Sequence, residues 1–455
     1  MLSKSNIKTE IQEFLKLAVP LASAQVAQAA TGFIDTIMMG QLGQQSLAAG
    51  GLATATFGLL LTTASGVLMA VSPLVAEAYG SGRKMQVEQI ARQGLWLSLI
   101  LSIPMMFLIG HLDSVMLHFG QAAPTVVLAD GFLDFILWGI FPALGFVVLR
   151  SFVSALSQAH LVTIIVIMGT IFNAIGNYLL GYGKFGFPRM ELAGLGLSSA
   201  FSFWIMFLAL LIYTLKHQQL KNYRFLQDLH RLRPQIFQKL LWIGVPISAT
   251  IALEYGLFVV VTYLMGLLGT EVLAAHQTVY QTIYLIFMVP LGMSYATSVR
   301  VGQRLGQQDI EGVRRAGYIS ILVAAVFMAL MAIVLLTHQR QVIGLYLDIH
   351  NPENANVLKL AVPMLMIAAL SQFLDGVQST ATGALYGLQD TRAAMLLSLP
   401  TFWGIGLTSG YLLAFHFNLG GVGLWIGQSI GVASAAVAFF WRFHRLTARK
   451  KLPYL

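Results

Sequence analysis

The chain has 455 residues, of which 57% are hydrophobic and only 10% are charged, and its mean hydropathy is +0.75. Soluble domains carry about 25% charged residues, so this composition excludes an ordinary water-soluble protein. The chain has no cysteine, which excludes disulfides and thiolate metal sites but does not identify a compartment.

Apolar runs of about 20 residues, long enough to cross a bilayer as helices, recur along the whole chain. The first follows a polar start without a signal-peptide h-region or cleavage site, so we expect it to be retained as a span. The sequence predicts twelve spans, in chain order at 15–39, 47–71, 91–112, 126–149, 161–183, 192–216, 240–264, 273–297, 315–337, 357–386, 394–414 and 420–441. The predicted fold class is therefore an all-α polytopic membrane protein.

Basic residues lie almost entirely on one side of these spans. With the N-terminus in the cytoplasm, every lysine and arginine lies at a terminus or in an even-numbered gap, except Lys184, Arg189, Arg340 and Lys359. This asymmetry follows the positive-inside rule, so both termini are predicted to be cytoplasmic, in a plasma or inner membrane. It also accounts for the net charge of +9. We expect no nucleic-acid partner, because no aromatic residues interleave the basic ones in a folded module.

The sequence repeats itself once. The segments IMMGQLGQQSLAAG (37–50) and YLMGLLGTEVLAAH (263–276) match at seven of fourteen positions, at an offset of 226. The same offset pairs the Val-Pro dipeptides at 19–20 and 245–246. One repeat unit therefore covers six helices.

Six is an even number, so both copies enter the membrane from the same side. The sequence predicts two parallel six-helix repeats: an N-lobe at 1–220, a basic cytoplasmic linker at 221–239 and a C-lobe at 240–455. In secondary transporters with repeats of this kind the substrate site lies at the repeat interface. A duplicated scaffold without transport remains the alternative, because architecture alone does not establish function.

Three acidic residues lie well inside predicted spans: Asp35, Glu254 and Asp375. Acids within a membrane are energetically costly and usually face a cavity, an ion path or a partner. No lysine or arginine lies deep in any predicted span, which favours an exchangeable cation, Na⁺ or a proton, as their counter-charge. No cofactor is expected, and no Ser–His–Asp or Cys–His arrangement indicates an enzyme.

Polar residues form helical stripes beside these acids, at spacings typical of one helix face. The stripes comprise Gln25, Gln28, Thr31 and Asp35 on the first span, Gln277, Tyr280, Gln281 and Tyr284 on the eighth, and Gln372, Asp375 and Gln378 on the tenth. Carboxylates with aromatic rings suit organic cations, which rings attract by cation–π contacts. Such stripes can also simply join helices by hydrogen bonds.

The repeat indicates that the fold does not require these acids. Asp35 aligns with Val261, Glu254 with Gln28, and Asp375 with about Phe146. Glu254 and Asp375 fall near the middle of their spans, so they could share one Na⁺ or one proton. Asp35 lies about 6 Å from the outer end of its span, at 1.5 Å per residue, and we expect a separate site there.

Five segments together resemble the multidrug and toxic-compound extrusion (MATE) transporters, in their NorM-like branch. They are VP…FIDTIMMGQLG in the first span, LAAHQ (273–277), the seventh span around Glu254, QFLDGVQSTATGALYGLQDT (372–391) and FNAIGNYLLGYG (172–183). The resemblance implies two six-helix bundles that alternate between outward- and inward-open forms. It implies export of amphipathic, often cationic compounds against Na⁺ or H⁺.

The resemblance also implies roles for single residues. Glu254 and Asp375 match the cation-coupling acids, and Gln277 matches a position in the drug cavity. Asp35, Asn173 and Asn177 match an N-lobe site, and Pro20 matches a proline about which the first helix bends. Some branches carry aspartate where this chain has Asn177, which should weaken an ion site there.

The sequence thus predicts a cation-coupled multidrug exporter, monomeric in the lipid bilayer, with organic cations as its small-molecule partners. The alternative is a flippase for lipid-linked precursors from the same superfamily. A flippase would need arginine or lysine facing its cavity to hold an anionic headgroup, whereas these spans carry acids.

Overall fold

The computed structural model describes residues 4–118, 121–227, 230–348 and 351–448. Within them lie twelve helices that are long and apolar enough to cross a membrane. They are α1 (Ile7–Gln41), α2 (Gln44–Gly80), α3 (Lys84–Ile109), α4 (Ala123–Ala155), α5 (Ala159–Gly181), α6 (Glu191–Lys216), α7 (Pro234–Leu267), α8 (Thr270–Gly306), α9 (Ile310–Thr337), α10 (Ala355–Gly387), α11 (Thr391–His416) and α12 (Gly420–Ala448). The predicted all-α class and the twelve spans are confirmed.

The helices are longer than the predicted spans, mainly at their polar ends. Proline begins α7 at Pro234, where its missing N–H is unneeded and its fixed φ suits the first helical turn. Polar residues such as Gln235 and Gln238 then continue this helix, although they lower the hydropathy on which span prediction depends. Short helices at Leu112–His118 and Gln339–Ile343 lie between the membrane helices.

The sequence repeat is visible in the backbone. The turns from α1 to α2 and from α7 to α8 each contain one glycine at positive φ, Gly43 at 121° and Gly269 at 124°. These glycines are 226 residues apart, and residues with a Cβ rarely adopt this conformation. The two repeats therefore use the same turn at the same position.

Contacts divide the chain into two compact units whose limits also follow the repeat. Ser23–Ser248 form one, here the N-unit; residues up to Ala22 and from Ala249 onward form the other, here the C-unit. Both limits lie two residues beyond an intrahelical proline, Pro20 in α1 and Pro246 in α7. The beginning of α1 thus belongs to the C-unit, and the beginning of α7 belongs to the N-unit. The lobes predicted from the sequence place all of α1 in the N-lobe and nearly all of α7 in the C-lobe.

Equivalent glycines allow this arrangement. In the N-unit, Gly66 of α2 lies against the backbone of Ser248 in α7; in the C-unit, Gly292 of α8 lies against Ala22 in α1. A Cβ added at either glycine would overlap the facing backbone. Gly66 and Gly292 are 226 residues apart, and so are Ala22 and Ser248. The same close approach between two helices therefore occurs in each unit.

Candidate functional site

In the N-unit, Asp35 of α1 is held by Asn177 of α5. The Asn177 Nδ2 atom donates to Asp35 Oδ1 at 2.6 Å. Asn177 is fully buried, while Asp35 is half-buried. Asn177 also begins a π-helical turn, Asn177–Gly181, and such turns are frequent at functional sites.

Other polar contacts support this pair from α5 and α6. Asn177 Nδ2 also lies 3.3 Å from Asn173 Oδ1, and Asn173 Nδ2 donates to Ser199 Oγ at 3.1 Å. One turn away along α1, the hydroxyls of Thr31 and Thr170 are 2.7 Å apart. The structure therefore brings together Asp35, Thr31, Asn173 and Asn177, as the sequence grouped them.

The rest of the α1 stripe has two different environments. Gln25 is buried, and its Oε1 accepts a hydrogen bond from Arg150 Nη1 of α4 at 3.0 Å. Gln28 is exposed. The predicted fourth span ended at residue 149, but α4 continues to Ala155 and places this arginine within the helix. Gln25 thus has a cationic partner that the span limits concealed.

In the C-unit, Glu254 of α7 is held by an amide of α10. Gln378 Nε2 donates to Glu254 Oε1 at 2.9 Å, and Gln378 itself is buried. Thr382, one turn further along α10, donates to the Gln378 carbonyl at 2.9 Å. A carboxamide, and not a basic group, therefore fixes this carboxylate.

Asp375 of α10 has the same kind of partner. Gln372 Nε2 lies 3.3 Å from Asp375 Oδ2, and Gln372 is fully buried. The charges of Asp375 and Glu254 are close enough to repel each other. Tyr386, which is hydrogen-bonded to Thr250, also interacts electrostatically with Glu254. Two acids on facing helices thus share one region of the C-unit.

No lysine or arginine forms an ion pair with Asp35, Glu254 or Asp375 among the ion pairs between described residues. The described residues also contain no group of three or more His, Asp or Glu side chains placed to hold a metal ion. An Na⁺ at Glu254 and Asp375 therefore stays a prediction, as do the functional roles of all these residues.

The α8 stripe forms one exposed face of its helix. Gln277, Gln281 and Tyr284 are exposed, whereas the opposite face is buried at Val279 and Ile283. Tyr280 lies between the stripe and the interior, with its ring 5.5 Å from Phe258 and 6.0 Å from Tyr284. These rings form a small aromatic surface beside the amides.

The sequence analysis missed several polar residues near these acids. Thr250 lies four residues before Glu254 on α7, so the spacing of one helix face could have marked it. Tyr386 does continue the α10 stripe, eight residues beyond Gln378, and extending that stripe would have found it. Thr170 and Ser199 are ordinary residues for a membrane helix and give no sequence signal.

The sequence profile of the MatE family matches residues 20–179 and 246–412, which together include Asp35, Asn177, Glu254 and Asp375. A Synechococcus sp. protein named a probable multidrug resistance protein NorM is 55% identical over 98% of this chain and 96% of its own. A Pseudomonas aeruginosa protein of the same name is 39% identical over 97% and 90%. An outward-facing multidrug resistance MATE transporter superposes with a TM-score of 0.87 at 20% identity, covering 96% of both chains. A eukaryotic MATE transporter gives 0.84 at 19%, also over 96% of both.

Proposed function

The chain belongs to the MatE family, and we propose that it exports amphipathic organic cations in exchange for Na⁺ or H⁺. The names of its relatives support multidrug efflux as the general activity. In this proposal the protein acts as a monomer in the plasma or inner membrane and alternates between outward- and inward-open forms. It transports its substrates unchanged and needs no cofactor.

One observation carries the proposal: each of the three acids Asp35, Glu254 and Asp375 is held by a neutral amide. Asp35 accepts from Asn177, Glu254 from Gln378, and Asp375 from Gln372. A neutral donor orients a carboxylate without cancelling its charge. A lysine or arginine in its place would form a lasting ion pair and exclude an incoming cation. The acids are therefore available to a cation that must bind and leave in every cycle.

The two units are given separate tasks in this proposal. Glu254 and Asp375 share the coupling cation, because two nearby like charges favour binding of one positive charge between them. Asp35 with Asn173 and Asn177 forms a second site in the N-unit for an ion, a proton or a drug. Gln277, Gln281 and the tyrosines of α8 offer amides and ring faces to the drug itself.

The flippase alternative is weaker in this framework. An anionic headgroup would need cationic side chains close to the polar stripes. Arg150 is the candidate, but its Nη1 hydrogen bond to Gln25 already uses part of its donor capacity. The three amide-held acids would repel an anion, whereas they would attract an organic cation.

Transport in proteoliposomes tests the proposal. We expect an Na⁺ or pH gradient to drive ethidium movement, and Asp35→Asn, Glu254→Gln and Asp375→Asn each to reduce it about tenfold, as for a loss of about 1.4 kcal/mol. The matched control is Asp134→Asn, which neutralises an exposed acid of α4. Equal transport by all four variants would contradict the assigned roles. A lack of gradient-driven movement by the unmodified protein would contradict the function.

A further inference from the structure

A second polar cluster, of residues His276, Trp425, Gln428 and Gln372, lies inside the C-unit, and the proposed function assigns no role to three of its members. The exposed fractions are 0% for His276 and Gln372, 4% for Trp425 and 5% for Gln428. Each has at least one fully buried polar atom without a hydrogen-bond partner among the described residues. Unsatisfied polar groups are costly in a membrane interior, so this concentration of them needs an explanation.

The hydrogen bonding of His276 identifies its free atom as an acceptor. Its Nε2 lies 3.0 Å from Thr262 Oγ1, and the Thr262 hydroxyl donates to the Phe258 carbonyl at 2.8 Å. A hydroxyl has one hydrogen, so Thr262 must accept from Nε2–H. In the neutral ring Nδ1 then carries no hydrogen, so its lone pair is an acceptor, and none of the described residues donates to it.

Trp425 and Gln428 provide complementary groups on α12. The Trp425 ring centre is 5.6 Å from that of His276, and its Nε1–H is a buried donor without a partner among the described residues. Gln428 is one helical turn further on, on the same face. Within the described part of the chain, neither its Oε1 nor its Nε2 has a partner. The cluster therefore contains both free donors and free acceptors.

The register of α10 against α12 places Gln372 at the same level. Gly421 of α12 lies against Met364 of α10, and Arg442 Nε of α12 donates to Asp390 just beyond α10. The two helices therefore run in parallel. Gln428 is about 10 Å beyond Gly421, and Gln372 is about 12 Å beyond Met364, at 1.5 Å per residue. The free Oε1 of Gln372 is thus buried at about the same level along the helices as Gln428.

We propose that this cluster binds a chain of ordered water molecules that runs from His276 and Trp425, past Gln428, to Gln372. Water is the one ligand that is small enough for a closed helix interior and that satisfies donors and acceptors together. Gln372 holds Asp375 through its amide group. The chain therefore ends at a coupling acid and hydrates it from inside the C-unit. This last step rests on the proposed function, whereas the water itself does not.

X-ray hydroxyl-radical footprinting tests the water directly, because radiolysis of bound water oxidises the side chains beside it even when they are buried. We expect oxidation of Trp425 in the unmodified protein in detergent. We expect a decrease of about threefold in Gln428→Leu, which removes two water-binding atoms. The matched control is Thr278→Val on α8, where the buried hydroxyl already bonds to the Ala274 carbonyl. An unlabelled Trp425 in the unmodified protein would overturn the proposal, whatever its variants do.

Transport then tests the connection to Asp375. We expect Gln428→Leu to lower the half-saturating concentration of the driving cation about fivefold, because the ion-free Asp375 loses hydration, equivalent to about 1 kcal/mol. Drug affinity without a gradient should stay unchanged, as should all values in Thr278→Val. An unchanged cation dependence together with a labelled Trp425 would separate the water from coupling and overturn that step. If no cation drives transport, the proposed function fails, but footprinting still decides the water chain.

Discussion

At the residue scale, the same arrangement of a carboxylate and a neutral side-chain amide occurs three times. Asp35, Glu254 and Asp375 come from different helices and do not align in the repeat, yet an asparagine or glutamine amide holds each one. Hydrogen bonds to charged groups contribute about 1.5–3 kcal/mol, which fixes the position of a carboxylate without supplying a counter-charge. In the proposed function, the counter-charge of these carboxylates comes from the coupling cation.

Removing one amide should therefore change how tightly its carboxylate binds the cation. In Gln378→Leu, Glu254 loses its donor, so the ion-free carboxylate is less stable and the bound cation is favoured. We expect the half-saturating cation concentration to fall about tenfold, for a loss of about 1.4 kcal/mol, measured as gradient-driven transport in proteoliposomes. Release of the ion should slow accordingly and reduce the maximal rate.

The control is Ser371→Ala on the same helix. Ser371 is buried, and its hydroxyl donates to the Ala368 carbonyl. The change therefore removes a hydroxyl from α10 without affecting an acid. A tenfold rise in the half-saturating concentration in Gln378→Leu, or an equal shift in both variants, would contradict the role given to Gln378.

The sequence predicted only some of these contacts between residues. The pairing of Asp35 with Asn177 followed from a resemblance, and the stripe of α10 contained both amide partners of the C-unit acids. The bond from Arg150 to Gln25 could not be predicted, because it depends on how far α4 extends and which face it presents. The cluster around His276 could not be predicted either, because its free atoms come from three helices that only the fold brings together.

At the element scale, α1 is shared between the units, and an ion cluster fixes its beginning. Glu10, only 1% exposed, accepts from Arg300 Nε at 2.8 Å and pairs with Arg304 Nη2 at 2.7 Å, both on α8. The N-unit has a counterpart with the charges exchanged, where Lys239 of α7 lies 3.7 Å from Glu77 of α2. Each first helix of a repeat is thus attached by charge at its start.

Breaking the buried cluster should destabilise the protein strongly. Glu10→Ala leaves the buried Arg300 without its carboxylate and removes the shorter of the two ion pairs of Arg304, which we expect to lower the free energy of unfolding by about 3–5 kcal/mol. Thermal unfolding in detergent measures this change. Glu13→Ala is the matched control on α1, because Glu13 is paired with Lys16 at a site where both side chains are exposed. It should lower stability by no more than about 1 kcal/mol. Similar losses in both variants would contradict the anchoring role of Glu10.

Helix limits were the weakest sequence predictions at this scale. Hydropathy identified all twelve apolar centres but not the polar turns that continue α1 and α7, in which Glu10 and Lys239 lie. The π-helical turns of α5 and α11 were not predicted either, because a one-residue widening leaves the apolar period almost unchanged. These turns occupy equivalent positions in the repeats, because the offset of 226 pairs Asn177 with Trp403, which lies in the π-helical segment Leu399–Leu407.

At the scale of the whole molecule, duplication was the most informative property of the sequence. It predicted two six-helix repeats, and Gly43 and Gly269 have the same backbone conformation at equivalent positions of those repeats. It did not predict that the limits between the two compact units lie two residues beyond Pro20 and Pro246. That division arises from close packing of α1 and α7 against helices of the other repeat, at Gly292 and Gly66, and no pattern within a single helix encodes it.

The predicted orientation in the membrane can be tested on the whole molecule, because the chain lacks cysteine and gives no background labelling. Single cysteines replace four exposed lysines or arginines at or near the ends of the membrane helices: Lys84, Lys184, Lys221 and Arg340. The positive-inside rule predicts that a membrane-impermeant maleimide added to intact cells reaches Lys184→Cys and Arg340→Cys. Lys84→Cys and Lys221→Cys should react only in inverted vesicles, and each pair serves as the control for the other. The opposite labelling pattern would show that the topology is inverted. The side from which the cation is proposed to enter would then be inverted as well.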